Sequence, residues 1–187
     1  DDRMIACPSD DGAAFVWDVE TGVRVAAFRG HRGELNAVAF SPNSRILLTS
    51  GTDNTARGWA VEGTGRDLTL GVHDAGVTSA LWSPNGELVA TGSGDGTARV
   101  WDGQTGSPIS VLSSPGRVSS MSFSADNRRL LVARHDGGGA HVWDARTGTV
   151  IAELNLGQTE PTMLDPANWS PEENIIILAV KEKLPPK

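Results

Sequence analysis

The sequence predicts an all-β protein built from repeated units of four short strands. Tryptophan stands at positions 17, 59, 101 and 143, so an interval of 42 residues separates each from the next. A fixed period of this size, with one large aromatic residue per unit, indicates stacked supersecondary units. The apolar runs are short, rich in Val, Ile, Leu and Thr, and separated by Gly, Pro, Asn and Asp, which favours strands. No stretch keeps helical apolar spacing over three turns.

Each unit shows the same elements in the same order. A short alternating segment ends at an aromatic-Ser-Pro turn, as at Trp82-Ser83-Pro84, and an apolar run over 88–90 follows. A tight turn at Asp95-Gly96 precedes the strand that carries the periodic Trp. That strand leads into a polar turn at Gln104-Thr105-Gly106, and a last short strand closes the unit. Four short antiparallel strands per period describe one blade of a β-propeller.

The residues at these positions resemble the WD40 repeat family. The dipeptide Trp-Asp stands at 17–18, 101–102 and 143–144, and Trp59-Ala60 is the one departure. The dipeptide Gly-His, which accompanies Trp-Asp in this family, stands at Gly30-His31 and becomes Val72-His73 in the next unit. Each histidine lies 28 residues before the Trp of its unit. The resemblance covers nearly the whole chain. It implies a partial WD40 β-propeller in which two incomplete blades flank three complete four-stranded blades.

The family pattern places the blades along a single propeller segment, residues 1–187. The expected ranges are 3–28 for a partial blade, 35–70, 77–112 and 118–154 for complete blades, and 163–180 for another partial blade. WD40 propellers usually have about seven blades in roughly 300 residues, so these strands cannot close such a ring. We expect the chain to be a segment of a longer protein. The alternatives are a second copy that completes an eight-bladed ring, or a strained four-bladed ring in which the C-terminal strand joins the opening blade.

Composition disfavours several functional classes. The net charge is −7 and no basic stripe appears, so we expect no nucleic-acid partner. No apolar run reaches the roughly 18 residues that a membrane span needs. Cys7 is the only cysteine, which leaves neither a disulfide framework nor a cysteine zinc cluster. With no secretory signal at the first residues, the expected location is cytoplasmic.

Three polar residues of one unit, His73, Ser93 and Asp95, could suggest a catalytic triad. A triad requires these groups to face one another with the serine open to substrate. The WD40 resemblance instead implies a structural hydrogen-bond network, which would satisfy polar groups that are costly to bury unpaired. Its expected members are His31, Asp53 and Trp59 in one unit and His73, Ser93, Asp95 and Trp101 in the next. Because catalysis would not need two copies, no catalytic residue is predicted.

Departures from the pattern predict where the network weakens. Position 51 is Gly where Ser93 stands one repeat later, so that copy would have to use Thr49 or do without. The fourth unit has Ser114 where a histidine is expected and Arg134 in place of Ser93, with an extra residue in the turn 136–139. We therefore expect a broken polar chain there and the least tightly held complete blade at 118–154.

No metal or cofactor site is predicted. His135 and His141 lie near Asp136, but two imidazoles and one carboxylate without cysteine give only a weak metal signal, and exposed histidines are expected. The Asp-Gly and Asp-Asn turns lack the alternating oxygen ligands of an EF-hand calcium loop. Neither a phosphate-binding glycine loop nor a nucleophile elbow is present.

The stretch Asn155 to Asn168 breaks the period, since one interval between aromatic-Ser turns rises to 46 residues. Pro161 and Pro166 are expected to keep it out of regular structure, so it is read as a long loop or a recognition element. The last residues, 181–187, contain two prolines and are expected to fray.

The predicted function is a non-catalytic protein-protein interaction scaffold or a sensor or regulatory module. Its Ala- and Arg-rich repeats are similar to those of bacterial multidomain signalling proteins. Partners would be proteins, other blades of the same protein, or a second copy. The candidate partner-binding residues lie in the loops between blades: Arg29, Arg32, Glu34, Asp74 and Arg117.

The alternative is a propeller enzyme or small-molecule binder that uses the central channel. Such a site needs convergent polar or metal-binding side chains on the innermost strands. The predicted inner strands, 35–40, 77–82 and 118–123, contain neither carboxylate, His nor Lys. Asn36, Thr78 and Ser120 are the side chains that could contact a ligand there, and a water-filled channel is favoured.

Overall fold

The computed structural model describes residues 3–61, 67–113, 116–135, 139–155, 163–169 and 176–181. All regular structure in these residues is β-strand. The sheets are antiparallel and follow one another along the chain. Their strands are β1 (Met4–Pro8), β2 (Ala13–Asp18) and β3 (Arg24–Arg29); β4 (Leu35–Phe40), β5 (Ile46–Gly51), β6 (Ala56–Ala60) and β7 (Leu68–Leu70); β8 (Val77–Trp82), β9 (Leu88–Ser93), β10 (Thr97–Asp102) and β11 (Pro108–Ser113); β12 (Val118–Phe123), β13 (Arg129–Arg134), β14 (Ala140–Asp144) and β15 (Val150–Leu154); and β16 (Met163–Trp169) and β17 (Ile176–Lys181).

Neighbouring sheets pack side by side through their first strands. β4 contacts β8, β8 contacts β12, and β12 contacts β16, so these four strands lie innermost. The first sheet reaches the second mainly through β1. This radial order of antiparallel sheets, three of them four-stranded and flanked by sheets of three and two strands, confirms the predicted fold class.

The hydrophobic core lies between adjacent sheets. One cluster joins Leu88, Val100 and Leu112 of the third sheet to Val118 and Leu130 of the fourth. Another joins Leu48 and Leu70 of the second sheet to Val77 and Val89 of the third. Because strands alternate their side chains between two faces, each four-stranded sheet presents one face to each neighbour. Each sheet therefore depends on its neighbours for burial.

One expectation about the C-terminal part needs correction. The stretch up to Asn168 was expected to be irregular, but β16 begins at Met163. Pro166 lies where the register with β17 shifts between Leu164 and Ala167, and an interrupted ladder tolerates a residue without an N–H group. In addition, β17 pairs with β16 and, within the described residues, not with the opening sheet. Within the described residues, no C-terminal strand joins the opening blade, as the four-bladed alternative would require.

Candidate functional site

Among the described residues, the connections between sheets lie at one edge of the sheets. Because paired strands alternate in direction, every second connection returns to the same edge. We call this edge the loop face and define it by the segments 9–12, 30–34, 52–55, 71–76, 94–96 and 116–117. The opposite edge, called the turn face, carries the turns 19–23, 41–45, 83–87, 103–107, 124–128 and 145–149. All five candidate partner-binding residues lie on or next to the loop face.

A hydrogen-bond network ties the loop face to the interior of the second sheet. His31 Nδ1 lies 2.9 Å from Asp53 Oδ1, and its Nε2 lies 2.8 Å from Thr49 Oγ1. Trp59 Nε1 donates to the same Thr49 hydroxyl at 2.9 Å. The Asp53 carboxylate also accepts the Thr55 hydroxyl at 2.7 Å. The structure thus brings the predicted members of this unit together, with Thr49 as the link.

The third sheet repeats the network with one difference from the sequence-based prediction. His73 Nδ1 lies 3.1 Å from Asp95 Oδ2, while Thr91 Oγ1 is 2.8 Å from His73 Nε2 and accepts Trp101 Nε1 at 2.9 Å. Ser93 was expected to make this link and does not. Its buried hydroxyl lies 2.9 Å from the carbonyl oxygen of Ala75, to which it can donate, and accepts the Asp95 N–H group.

Ionisation in the network follows from its surroundings. Burial alone would raise the pKa of Asp95, but the hydroxyl and N–H groups of Thr97 and the N–H group of Asp74 lower it to about 2. Asp53 behaves in the same way: burial opposes ionisation, and the N–H group of Arg32 and the His31 and Thr55 side chains lower its pKa to about 2.

The same surroundings set the proton positions on His73. Burial lowers the pKa of His73, although Asp95 opposes the effect, so its ring is neutral at pH 7. With a carboxylate beside Nδ1, the ring carries its proton there. Nε2 is then an acceptor for the Thr91 hydroxyl.

The arrangement does not form a nucleophile and base. The Ser93 hydroxyl bonds to backbone groups rather than to His73, and both side chains are buried away from solvent. A serine nucleophile needs a hydrogen-bonded base and access to substrate. The geometry of His73, Ser93 and Asp95 is therefore that of a structural tie between loop and strands.

The fourth sheet carries an incomplete version of this network. Val132 pairs with His141 as Thr91 pairs with Arg99, so a methyl group replaces the hydroxyl that accepts the periodic tryptophan. Trp143 Nε1 and His141 Nδ1 are buried and have no hydrogen-bond partner among the described residues. Burial, aided by nearby Arg134, lowers the pKa of His141. Ser114 and the turn residues 136–138 lie outside the described residues.

The candidate partner-binding residues have exposed side chains on backbone that is held in place. The N–H groups of Arg32 and Asp74 donate to the network carboxylates of Asp53 and Asp95, each at 2.9 Å. The carbonyl of Glu34 accepts from Thr52, and that of Arg117 accepts from His135. Arg29 differs, because its guanidinium forms an exposed ion pair with Asp11 at 3.1 Å.

Two arginines on strands next to the loop face, Arg57 of β6 and Arg99 of β10, were not singled out from the sequence. Arg57 lies over the ring of Trp59, with its guanidinium 5.9 Å from the ring centroid. Arg99 Nη1 donates to the carbonyl of Val72 in the preceding loop at 2.8 Å. These arginines stand 42 residues apart, so the same period that located the tryptophans could have located them.

The polar side chains of the inner strands are engaged with backbone. Asn36 Nδ2 donates to the carbonyl of Val77 at 2.8 Å. Thr78 Oγ1 lies 2.9 Å from the carbonyl of Val118 and 3.0 Å from that of Gly92. Both residues fall at register shifts in their strands, which turn the side chain towards the next sheet. They therefore join neighbouring sheets.

The part of the chain that the structure describes offers neither a cluster of metal-ligating side chains nor a membrane-spanning helix. No group of three or more His, Cys, Asp or Glu side chains there could hold a metal ion. In the same residues, none of the secondary structure is a helix of the length and apolar character needed to cross a bilayer.

Comparison with known families identifies the repeat. A family model described as "WD domain, G-beta repeat" matches residues 22–60, 67–102 and 106–144, together more than half of the chain. The chain belongs to the WD40 repeat family. Each matched WD40 segment begins near the outer strand of one sheet and ends on the tryptophan-bearing strand of the next. The sequence repeat thus spans two neighbouring blades and includes the connection that lies on the loop face.

Individual WD40 relatives align with a smaller part of the chain. The G(I)/G(S)/G(T) subunit beta-1 of guanine nucleotide-binding protein from Homarus americanus is 36% identical over 53 residues, which is 28% of this chain and 16% of that protein. The guanine nucleotide-binding protein subunits beta-1 of Drosophila melanogaster and Caenorhabditis briggsae are 35% and 37% identical over 49 residues, 26% of this chain and 14% of each. The aligned stretch thus covers only 14–16% of these relatives.

Proposed function

We propose that the protein is a non-catalytic interaction module that binds a protein partner through the loop face. The proposal is carried by Arg32 and Asp74. Their side chains are exposed to solvent, but their backbone N–H groups donate hydrogen bonds to buried carboxylates. A surface whose backbone is already ordered loses less conformational entropy on binding. Membership of the WD40 family and similarity to G-protein beta subunits support a protein-interaction or regulatory scaffold.

A site in the central channel is less well supported. Such a site would use Asn36 and Thr78, and both already bond to the backbone of the neighbouring sheet. Using them for a ligand would leave buried carbonyl groups of the inner strands with fewer partners, which is unfavourable. We therefore propose the loop face rather than the channel as the binding surface.

We also propose that the open face of the first sheet packs against a further blade of a longer multidomain protein. In the second sheet, Trp59 stacks on Phe28 of the preceding sheet at 5.8 Å between ring centroids, and it closely approaches Gly30. In the first sheet, Trp17 stands one period earlier, and Ile5 on the neighbouring strand is 52% exposed. A preceding blade would cover this face as Phe28 covers Trp59.

Site-specific photocrosslinking tests the proposed binding surface. A photoreactive amino acid replaces Arg32 on the loop face, and in a control protein it replaces Glu20, an exposed residue on the turn face. Each labelled protein is mixed with an extract of the source cells, and the crosslinked protein is identified by mass spectrometry. We expect a saturable product from position 32 that excess unlabelled protein competes away. Excess unlabelled Asp74→Arg/Arg117→Glu double variant should compete poorly.

Two results would contradict the loop-face proposal. One is an equal set of crosslinked products from positions 32 and 20, which would indicate non-specific capture. The other is full competition by the Asp74→Arg/Arg117→Glu variant, which would show that these side chains do not contact the partner.

A further inference from the structure

The turn face contains a groove that the loop-face function does not use. It lies between the second and third sheets, has a volume of about 390 Å³, and is formed by the turns 41–45, 83–87 and 103–107. A second depression of about 220 Å³ shares Glu87 and Gln104 with it and extends towards Arg146 of the fourth sheet. The two form one continuous surface across the third sheet.

The indole of Trp82 lines the floor of the groove. Trp82 is 9% exposed, and its Nε1 has no hydrogen-bond partner among the described residues. At the corresponding position of β16, Trp169 Nε1 donates to the carbonyl of Ser122 in the preceding sheet at 3.0 Å. Buried polar atoms are nearly always paired. Because Trp82 Nε1 is itself closed to solvent, a ligand in the groove contacts the ring of this indole and not its N–H group.

The rim of the groove is preorganised and offers hydrogen-bond donors. Asn43 and Asn85 each direct the side-chain carbonyl into their own turn, where it accepts the hydroxyl of Ser41 or Ser83 at 2.7 or 2.8 Å. The amide NH2 group of each asparagine has no hydrogen-bond partner among the described residues and can donate to a ligand. Pro42, Ile46 and the indole of Trp82 supply apolar surface beside these groups.

The second depression is acidic. It is lined by the carboxylates of Glu87 and Asp102 and by one cation, Arg146, which pairs with Glu87 at 3.0 Å while both stay more than half exposed. N–H and hydroxyl groups of Thr105 hold the pKa of Asp102 below its usual value, so it is ionised at pH 7. The charges of these three groups leave a net negative charge, which favours a cationic ligand group.

The geometry points to a binding groove for a short extended peptide segment with an apolar residue followed by Lys or Arg. The apolar side chain lies on Pro42 and the indole of Trp82. The basic side chain reaches Glu87 and Asp102. This site is separate from the loop face and does not depend on the function proposed for it.

NMR of the ¹⁵N-labelled 187-residue protein tests the groove. The probe is the blocked tetrapeptide leucyl-alanyl-lysyl-alanine amide, and its counterpart carries glutamate in place of lysine. The indole N–H signal of Trp82 is assigned by its loss in Trp82→Phe, a substitution that should fold because Phe40 and Phe123 occupy the corresponding position. We expect the lysine peptide to move this signal and the glutamate peptide to bind at least about tenfold more weakly.

Gln104→Trp provides the blocking variant, because Gln104 is exposed and lines both depressions. Its matched control is Glu20→Trp, at an exposed position of the corresponding turn in the first sheet. Gln104→Trp should weaken binding at least about tenfold, and Glu20→Trp should leave it unchanged.

Any of three results would overturn the proposal that the groove binds this peptide. They are equal binding of the lysine and glutamate peptides, a Trp82 signal that does not move at about 5 mM peptide, and undiminished binding by Gln104→Trp. An Arg32→Glu variant on the loop face should bind the peptide normally, so failure of one site is distinguishable from failure of the other.

Discussion

At the scale of single residues, the Thr91 hydroxyl is the central atom of the network in the third sheet. It accepts the Trp101 indole and bonds His73 Nε2, and both partners are buried. Valine has nearly the shape of threonine, so Thr91→Val removes the hydroxyl with little change in packing. Two buried polar groups would lose a partner, and each loss costs about 1–3 kcal/mol.

We therefore expect Thr91→Val to lower the free energy of unfolding by roughly 2–6 kcal/mol. Urea denaturation followed by tryptophan fluorescence measures the change. Thr69→Val makes the same substitution at an exposed position of β7 and should stay within about 0.5 kcal/mol of wild type. A Thr91→Val protein as stable as the Thr69→Val protein would contradict the role assigned to the hydroxyl.

His73 makes stability depend on pH. Burial lowers its pKa in the folded chain below the ordinary value of 6.5, so the unfolded chain takes up a proton first as the pH falls. The stabilising effect is therefore complete above about pH 6.5 and declines as the pH drops from there towards the folded-state pKa. We expect the urea concentration at the unfolding midpoint to decrease when the pH is lowered from 7.5 to 5.5. The decrease should be smaller in His73→Gln. An equal decline in both proteins would exclude His73 as the source.

The sequence located most of the network but not its linking atom. Thr91 and Ser93 are two residues apart on β9, and residues two apart in a strand face the same side. Alternation alone could not choose between their hydroxyls. The choice depends on where the preceding loop places His73, and that position is set by packing between sheets. Thr49 could be inferred in the earlier unit because Gly51 has no side chain.

At the scale of elements, the inner strands are joined by side chains at their register shifts. Thr78 reaches the carbonyl of Val118 on the next inner strand. Thr78→Val should lower the free energy of unfolding by about 1–2 kcal/mol, because one partly buried hydrogen bond between sheets is lost. Ser79→Ala on the same strand serves as control, and thermal unfolding measures both. Equal effects of the two substitutions would show that the contact between β8 and β12 does not depend on this bond.

The fourth sheet offers the reverse experiment. Val132 stands where the third sheet has Thr91, and Trp143 Nε1 is without a partner in the described residues. Val132→Thr should give this indole an acceptor and raise the free energy of unfolding by about 0.5–1.5 kcal/mol. Hydrogen exchange should slow in β13 and β14 more than in β9 and β10. Faster exchange would show that the buried hydroxyl costs more than its new bond contributes.

Strand order followed from the sequence period, whereas local irregularities did not. A register shift such as that at Thr78 adds one residue without changing the apolar pattern around it. Pro166 likewise indicated a loop, yet it lies within β16 at an interrupted part of the ladder. Both features depend on pairing between strands, which a single-strand pattern cannot specify.

At the scale of the whole molecule, the first sheet shows an uncovered apolar face. Ile5 is 52% exposed beside Trp17. Phe15 lies on the same strand as Trp17, and the guanidinium groups of Arg24 and Arg29 lie 5.3 and 5.7 Å from its ring centroid. The corresponding tryptophan of the second sheet packs against the preceding sheet. Uncovered apolar faces of this kind favour association.

We expect the protein to associate through this face in solution. Light scattering coupled to gel filtration should give a mass that rises above 19.7 kDa as concentration increases. Ile5→Lys places a charge on the face and should return the mass towards the monomer value. Val19→Lys makes the same change at a similarly exposed residue of the β2–β3 turn and should have no such effect. Equal masses for the Ile5→Lys and Val19→Lys proteins would mean that association uses another surface. That result would contradict the proposal that a further blade covers the first sheet.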